Sequence, residues 1–408
     1  MRFAVIADTH IGRGIPLAIG EQRREAFNNA FTLAVDRIIN AGVDYVFHGG
    51  DLFERRTLRP HLVQFVHDEL YRLATETERL HHKKLKILIV RGNHDGRPGS
   101  DTLDYIKHPL ARYLHVFTEE DPVYSDDRIH VVGLNYYDEL EKAYQILAEP
   151  ALKKAEGLKV LLLHGFIQGY NQVPPYSSSL TLDKLSEAAP DYVFTGHYHR
   201  RCMPQRLPSG GWVVTPGSLA MYDFAEAPDK GFYIIEHGDQ PVFTWEPLEP
   251  LHHMRQVKVG SDHRRPPSWY GERVTAEVDS FLKLLRETGK PGYIRLRLEG
   301  GLSEGFPSDI PYNLPEDPLL LWVDVDTMRM ELPPLTVRPQ RDRVDVKEYF
   351  SSFGEFSEDI REMHRKVGDA LEEDASSTTG LLRPSQRIPY ISEWVKRFED
   401  HAFKEEEQ

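Results

Sequence analysis

Five short motifs in the first half of the sequence combine carboxylate, imidazole and amide side chains with glycine. Carboxylate, imidazole and amide oxygen form the mixed ligand set that suits manganese, iron or zinc. Two such cations about 3.5–4 Å apart can clamp the attacking and leaving oxygens of a phosphoryl displacement. The pattern therefore predicts a two-metal phosphoesterase, with Asp51 in position to bridge both ions. The motifs are Asp8-Thr9-His10, Gly50-Asp51, Gly92-Asn93-His94-Asp95, His164-Gly165 and Gly196-His197-Tyr198-His199.

Each motif directly follows an apolar run that is typical of a β-strand. Because α/β sheets place their sites just past the carboxyl ends of strands, we expect the five motifs to converge in one crevice. The glycines Gly50, Gly92 and Gly196 fit tight turns between strand and loop. Any one motif is weak evidence, since a lone histidine is more often a packed or surface residue than a ligand. The runs are Phe3–Ala7, Tyr45–Phe47, Lys86–Val90, Val160–Leu163 and Tyr192–Thr195.

Composition limits the function classes and the setting. The net charge of −14, from 64 acidic and 50 basic residues, counts against DNA binding through overall charge. Phosphate affinity then has to come from bound cations, helix amino termini or local arginines. A single cysteine, Cys202, leaves no internal disulfide and favours a reducing, cytoplasmic location. No long apolar run and no signal-peptide pattern occurs, so we expect no membrane association.

The pattern of elements suggests three parts in a chain of 408 residues. Residues 1–248 alternate strands and helices, which favours a layered α/β domain. Residues 249–330 read as a small α+β appendage with a helix near Val274–Thr288. Residues 331–408 form a Pro-rich linker and a helical tail, whose last helix has an apolar face. Further expected elements are the helices Glu21–Ala41 and Pro60–Leu80 and the strands Ile129–Leu134, Trp212–Thr215, Phe232–Glu236, Tyr293–Leu298 and Leu320–Val325.

The order of these motifs resembles the calcineurin-like metallophosphoesterase superfamily over roughly residues 1–240. More narrowly, HGGDLFERR at 48–56, PDYVFTGHYHR at 190–200 and PGSLAMYDF…DKGFYIIE at 216–236 resemble the SbcD-type (meiotic recombination eleven) nucleases of DNA double-strand-break repair. The resemblance implies a four-layer α-β-β-α sandwich with a small α+β cap and a helical C-terminal tail. It also implies that the tail docks on an SbcC-type coiled-coil ATPase. A homodimer would form through helices near Pro60–Leu80 and Thr102–Leu114. In the first helix, Leu62, Phe65, Val66 and Leu70 make an apolar stripe that Glu69 interrupts.

The resemblance also implies roles for the motif residues. His94 resembles the family histidine that stabilises the transition state or protonates the leaving oxygen. Asp95 would orient His94, although a purely structural role fits it equally well. Manganese is the favoured ion of the pair, with iron, zinc and magnesium as alternatives. One cation would be held by Asp8, His10, Asp51 and His199, and the second by Asp51, Asn93, His164 and His197.

The sequence departs from the narrower family at Glu54, where many members have a second histidine near the nucleic-acid strand. An acid there repels a phosphate backbone unless a cation or an arginine intervenes, so exonuclease efficiency and polarity stay open. Arginine binds phosphate bidentately, although it is also common on ordinary surfaces. The candidate phosphate contacts around the motifs are Arg13, Arg55, Arg56, Arg59, Arg91, Arg97, Arg200 and Arg201.

The function implied is a metal-dependent DNA nuclease, an exonuclease and/or single-strand endonuclease that processes DNA ends with an ATPase partner. In a prokaryote it would be associated with the nucleoid. One alternative is a small-molecule phosphodiesterase or phosphoprotein phosphatase with the same site. Another is a degenerate scaffold, which the filled ligand positions disfavour. The same nuclease could also serve antiviral defence. The tail face formed by Ile391, Trp394, Val395 and Phe398 fits either partner docking or packing on the body.

Overall fold

The computed structural model describes residues 1–56, 59–96 and 110–333. Met1–Leu332 form one compact unit, and a second unit begins at Pro333. Glu331, predicted as the start of the linker, instead ends a strand. Residues 334–408, with the predicted tail helices, lie outside the described residues, as do Arg97 and most of the second predicted dimer helix. Of that helix, residues 110–113 form a turn, and Leu114 begins a strand instead. No helix among the described residues is long and apolar enough to span a membrane.

The described part of the chain contains two large sheets, one three-stranded sheet and one two-stranded sheet of Phe166–Gln168 with Ser179–Thr181. The strands are β1 (Arg2–Ile6), β2 (Tyr45–His48), β3 (Lys86–Ile89), β4 (Leu114–Val116), β5 (Val123–Ser125), β6 (His130–Leu134), β7 (Lys159–His164), β8 (Phe166–Gln168), β9 (Ser179–Thr181), β10 (Tyr192–Gly196), β11 (Gln205–Arg206), β12 (Trp212–Val214), β13 (Gly231–Glu236), β14 (Val242–Pro247), β15 (His253–Gly260), β16 (Gly292–Gly301) and β17 (Leu320–Glu331). The helices are α1 (Gly20–Ala41), α2 (Pro60–His81), α3 (Leu140–Ala143), α4 (Glu149–Lys154), α5 (Leu182–Ser186) and α6 (Pro267–Thr288), with a π-helical turn, Tyr144–Ala148, between α3 and α4.

The two large sheets lie face to face between layers of helices. The first has the order β14-β13-β1-β2-β3-β4 and the second the order β11-β12-β10-β7-β6-β5. In β1, Phe3 and Val5 belong to the core between the sheets, whereas Ala4 and Ile6 pack with α1 and α2. This alternation is what a strand buried on both faces requires. The outer face of the second sheet packs on α3–α5. The predicted four-layer sandwich is confirmed.

The strands that precede the motifs run parallel within each sheet. β1, β2 and β3 are parallel neighbours, and so are β6, β7 and β10. Their carboxyl ends therefore lie at one edge of each sheet. Where the two edges meet, a Cβ atom on Gly49 would lie only 2.7 Å from the backbone nitrogen of Gly196. Glycine at these positions lets the two sheets approach closely, which brings the motifs together.

The apolar stripe on α2 is used inside the chain. Leu62, Val66 and Leu70 are at most 5% exposed and belong to the core beneath the first sheet. The helix begins with Pro60 at its first turn, a position that needs no backbone N–H. Because these side chains face the chain's own core, the stripe does not form a free dimer surface. The sequence argument for dimerisation through it is thus wrong, and a dimer rests on the family resemblance alone.

Residues 253–331 form a small layer of their own within the compact unit. Strands β15, β16 and β17 are parallel neighbours, and α6 covers them with a core that includes Tyr270, Phe281 and Leu285. The helix starts at Pro267, earlier than the predicted Val274, because Pro266 and Pro267 suit a helix start. The strands β4, β5, β8, β9, β11, β14 and β15 and the short helices α3, α4 and α5 were not predicted from the sequence. The domain boundary near residue 248 stays a prediction.

Candidate metal centre

Backbone hydrogen bonds connect the loops that carry the first two motifs. The N–H groups of Asp8 and His10 donate to the carbonyls of Gly50 (3.0 Å) and Asp51 (2.9 Å). The N–H of Glu54 in turn donates to the carbonyl of Ile11 at 3.0 Å. The loops after β1 and β2 thus form one rigid floor for the site.

Four of the predicted ligands lie in a strained backbone conformation. Asp8, His10, Asp51 and His197 all have positive φ, between 45° and 83°. Such a conformation is uncommon for a residue with a Cβ atom, and it clusters at functional sites. Gly50 also has positive φ, as predicted, whereas Gly92 and Gly196 do not. At those two positions the absence of a Cβ atom lets neighbouring loops come close. A Cβ atom on Gly196 would lie 2.2 Å from the Gly49 carbonyl oxygen.

The seven predicted ligands converge as two groups that share Asp51. In the first group, Nε2 of His10 lies 3.1 Å from Nε2 of His199. In the second, Nε2 of His164 lies 3.1 Å from Nδ1 of His197 and 3.2 Å from Oδ1 of Asn93. Asp8 joins His10 and His199 in a cluster whose ligand atoms lie within 4.8 Å of one another, and Asp51 joins His164 and His197 in another.

Asp51 lies between the two groups. Its Oδ2 is 3.8 Å from Nε2 of His10 and 3.5 Å from Nε2 of His164. Its other oxygen, Oδ1, accepts a hydrogen bond from the N–H of His94 at 2.9 Å. One carboxylate oxygen thus faces both groups, which is the placement that a bridging ligand needs.

Outer acceptors orient the imidazole rings. Nδ1 of His164 donates to the carbonyl of Gly49 at 2.7 Å, and Nδ1 of His199 contacts Oε1 of Glu226 at 2.9 Å. Nδ1 of His10 lies 3.1 Å from Oε2 of Glu54. When each Nδ1 carries its proton towards these acceptors, each Nε2 presents a lone pair to the site. This arrangement is typical of metal-binding histidines.

Burial dominates the electrostatics of the site. It raises the pKa of Asp8 to about 7 and raises the pKa of Asp51. It lowers the pKa of His164 and His197 to about 3. Burial also opposes protonation of His199, but its hydrogen bond to Glu226 and the charge of Asp8 outweigh burial and raise its pKa. Two buried carboxylates thus lie beside three imidazoles, those of His10, His164 and His197, whose pKa burial lowers, so bound cations would offset the negative charge of the site.

A pair of divalent cations fits this arrangement. Converging lone pairs on imidazole nitrogens about 3 Å apart repel one another unless a cation or proton lies between them. The donor set of carboxylate, imidazole and one amide oxygen suits borderline divalent metals. The residues that would hold the pair are those of the two groups, with Asp51 common to both.

His94 lies beside the first group and is more accessible than the ligands. Its Nδ1 donates to the carbonyl of Glu54 at 2.8 Å, which leaves Nε2 available. The side chain is 28% exposed, whereas that of His10 is 0% exposed. His94 also clusters with His10 and Asp51 closely enough to share a cation. Its geometry therefore fits proton transfer at the open side of the site, and its assignment as a non-ligand stays a prediction.

Asp95 does not contact the ring of His94 in this structure. Its buried carboxylate accepts hydrogen bonds from the N–H groups of Leu52 (3.3 Å), Phe53 (2.9 Å) and Gly92 (2.9 Å). Burial, followed by the charge of Asp51, raises its pKa to about 8. Asp95 ties the second and third motif loops together, which fits the structural alternative for this residue, and its predicted role in orienting His94 stays a prediction.

Glu54 and Arg13 lie elsewhere than the sequence indicated. Glu54 is 6% exposed and faces the site floor, not the solvent where a nucleic-acid strand would lie. Nη1 of Arg13 donates to its Oε1 at 2.7 Å, and Nε of Arg13 donates to the carbonyl of Tyr222 at 2.8 Å. With both partners inside the protein, Arg13 is a poor candidate for a phosphate contact.

The other arginine candidates divide by exposure. Arg91 is buried and donates to the carbonyl of Phe117, and Arg201 contacts Tyr233 and Asp229. These two are therefore structural. The exposed arginines that remain as candidate phosphate contacts are Arg55, Arg56, Arg59 and Arg200.

Three residues that lie at the site were not identified as site residues from the sequence. The ring of Tyr222 lies 4.5 Å from that of His10 and 4.6 Å from that of His199. The ring of Tyr136, which follows β6, lies 5.5 Å from that of His197. Glu226 accepts from Lys230 at 2.7 Å as well as contacting His199. For Tyr136 the position after a strand was an available signal; the loop that holds Tyr222 and Glu226 gave none beyond the family resemblance.

Comparison with known proteins gives a family match. The model of the calcineurin-like phosphoesterase superfamily domain matches residues 1–239. The chain is 28% identical over 253 residues to the DNA double-strand break repair protein Mre11 of Methanocaldococcus jannaschii, a match that covers 58% of this chain and 62% of that protein. It is 22% identical over 289 residues to the SbcD component of the nuclease SbcCD of Staphylococcus epidermidis, covering 63% and 72%. The chain thus spans about three fifths of the length of the first of these relatives.

Proposed function

Because the chain belongs to the calcineurin-like phosphoesterase superfamily, we propose that it is a two-metal DNA nuclease that hydrolyses phosphodiester bonds at DNA ends. The observation that carries the reaction type is the placement of Asp51 Oδ2 between the two ligand groups. The substrate is supported by the names of the relatives, a DNA double-strand break repair protein and a component of a nuclease. Exonuclease and single-strand endonuclease activity both fit this site.

The chain's own residues supply position and proton chemistry. When bound, the cations, which we propose to be manganese, would lower the pKa of the attacking water and would neutralise charge on the phosphate. Asp8, Asp51 and the four imidazoles fix where that phosphate can lie. His94, with Nδ1 held by the Glu54 carbonyl, presents Nε2 to the open side and is suited to protonate the leaving oxygen. The exposed Arg55, Arg56, Arg59 and Arg200 would contact neighbouring phosphates.

The remaining proposals concern assembly. Residues 249–330 would act as a cap that orients the DNA end, and residues 331–408 would dock on an SbcC-type ATPase, with two nuclease chains in the assembly. These proposals place the protein with DNA, in the cytoplasm or nucleoid. A chain truncated after Leu332, the end of the compact unit, should keep its metal-dependent cleavage and lose the ATPase. A truncated chain that unfolds would instead make the tail part of the core.

A comparison of substrates tests the proposed function. The full chain, stripped with a chelator, is given manganese and offered linear DNA, bis(p-nitrophenyl) phosphate and p-nitrophenyl phosphate. We expect both diesters to be cleaved, with DNA giving the highest kcat/KM, and the monoester to be poor. Efficient cleavage of the monoester with little cleavage of DNA would favour a phosphatase of the same superfamily and would overturn the nuclease proposal.

A further inference from the structure

Glu54 is a buried carboxylate in direct contact with the floor of the site. Its Oε1 accepts from Nη1 of Arg13 at 2.7 Å, and its Oε2 lies 3.1 Å from Nδ1 of His10. Both atoms are buried, and neither makes a hydrogen bond in the described part of the chain, because the contact between them is close but not aligned for one. The side chains of His10 and Glu54 are 0% and 7% exposed, so water does not offer them a ready substitute. Each is therefore the natural partner of the other.

Arg13 fixes this carboxylate from behind. Its Nε donates to the carbonyl of Tyr222, and its guanidinium lies 3.2 Å from the centre of the Tyr222 ring. The ring of Tyr222 in turn contacts that of His10. A buried carboxylate needs a charged or hydrogen-bonded partner to offset its desolvation, and Arg13 supplies it. Glu54 is therefore held in one orientation, towards His10.

The relation of Glu54 to His10 parallels that of Glu226 to His199. In both pairs a carboxylate faces Nδ1, while Nε2 points towards the other histidine of the same group. The second ligand group has no described counterpart of this kind: His164 relies on the carbonyl of Gly49. Two outer carboxylates thus act on the first group, and a neutral carbonyl acts on the second.

We propose that Glu54 is a positioning residue for one cation site, which holds the Nδ1 proton of His10 so that Nε2 faces the cation and adds negative charge behind it. Glu54 stands where many members of the resembled family have a histidine near the nucleic-acid strand, and its side chain faces inward instead. The proposal rests on the metal centre of the proposed function but not on DNA as its substrate. Outer-shell partners of this kind typically change metal affinity by about 10–100-fold, and here the change should fall on one cation of two.

Manganese titration of the chelated full chain, followed by the EPR signal of free Mn²⁺, tests the proposal. Glu54→Gln keeps the size of the side chain and removes its charge. We expect one of the two dissociation constants to rise by about 10–100-fold and the other to stay within about twofold. Glu226→Gln should weaken the same single site. Glu69→Gln, which breaks an ion pair with Arg72 on α2, is the matched control and should bind both ions normally.

A second readout isolates positioning from general damage. Long-range ¹H–¹⁵N spectra of the metal-free protein report which ring nitrogen of a histidine carries the proton, with the His10 signal assigned from its loss in His10→Gln. We expect Nδ1-protonated His10 in the native chain and a mixture or the other tautomer in Glu54→Gln. Unchanged tautomer with unchanged binding of both ions would overturn the proposal, and so would equal weakening of both sites. If both ions bind as expected but DNA is not cleaved, the proposed function fails and this inference stands.

Discussion

Gly92 and Asp51 are in van der Waals contact at the centre of the site. A Cβ atom on Gly92 would lie 2.0 Å from Oδ1 and 2.5 Å from Cγ of Asp51, both far inside contact distance. The backbone of Gly92 is not in the left-handed region, so an added methyl group would act not through φ but by displacing the carboxylate and the backbone nitrogen of Asp51, which would lie 2.5 Å from it. Residue 92 must therefore be glycine because any larger side chain would collide with Asp51.

Gly92→Ala should therefore lose cation binding while the fold survives. The displaced carboxylate can no longer face both ligand groups, so we expect activity to fall at least as far as in Asp51→Asn. Metal content after dialysis against manganese, together with circular dichroism, checks this. A Gly92→Ala chain that retains two cations and normal turnover would show that the contact relaxes harmlessly.

His94→Ala should separate proton chemistry from cation binding. The variant should keep both ions and lose about 10²–10⁴-fold in kcat on DNA, the usual contribution of a general acid or base. Isothermal titration with manganese and single-turnover cleavage measure the two effects separately. His263→Ala, an exposed histidine of the cap, should change neither. Loss of an ion in His94→Ala, with activity regained at high manganese, would make His94 a ligand.

Cation affinity should weaken as pH falls below neutrality. Burial raises the pKa of Asp8 to about 7 in the metal-free chain, so at pH 6 a cation must displace a proton from this ligand. The imidazoles of His164 and His197, with pKa lowered to about 3 by burial, hold no competing proton. The raised pKa of His199 adds a second competing proton, so the dissociation constant should rise by at least about fivefold from pH 7 to 6. Titration in buffers of different ionisation enthalpy gives the proton count, and tighter binding at pH 6 would contradict this prediction.

Leu70→Ala should destabilise the single chain and leave its association unchanged. Leu70 is 2% exposed in the core beneath the first sheet, and such truncations cost about 2–5 kcal/mol. Urea unfolding at two protein concentrations should give the same loss. Tyr71→Ala, on the exposed face of the same helix, is the comparison, since a dimer through α2 would use that face. A dimer that dissociates in Leu70→Ala without loss of monomer stability would contradict the core assignment.

Strands and helices could be predicted from the sequence where burial makes apolar residues recur at a regular spacing. The strand ends after β1, β2, β3, β7 and β10 located the seven ligand candidates, because parallel strands share one edge. Seven of the described strands were missed. Five of them, β4, β5, β8, β9 and β11, have only two or three residues, and β14 and β15 are only partly buried and carry charged side chains. The spacing of apolar residues within such a strand does not show which other strand it pairs with.

The surroundings of the ligands were less predictable. The family resemblance placed Glu54 near the nucleic-acid strand, and Arg13 was a candidate phosphate contact because it lies beside a metal motif, yet the two side chains bury each other's charge beneath His10. Glu226 reaches His199 from a loop distant in sequence. Asp95 follows His94 directly but turns towards the backbone of Leu52 and Phe53. Each of these contacts depends on tertiary packing, which no spacing rule along the chain encodes.

The central claim is that Asp51 bridges two cations, and anomalous diffraction from crystals grown with manganese tests it most directly. We expect two anomalous peaks per chain about 3.5–4 Å apart. One peak should lie among Asp8, His10 and His199, the other among Asn93, His164 and His197, with an Asp51 oxygen between them. A single peak at full manganese saturation, or two peaks that do not share Asp51, would contradict the account.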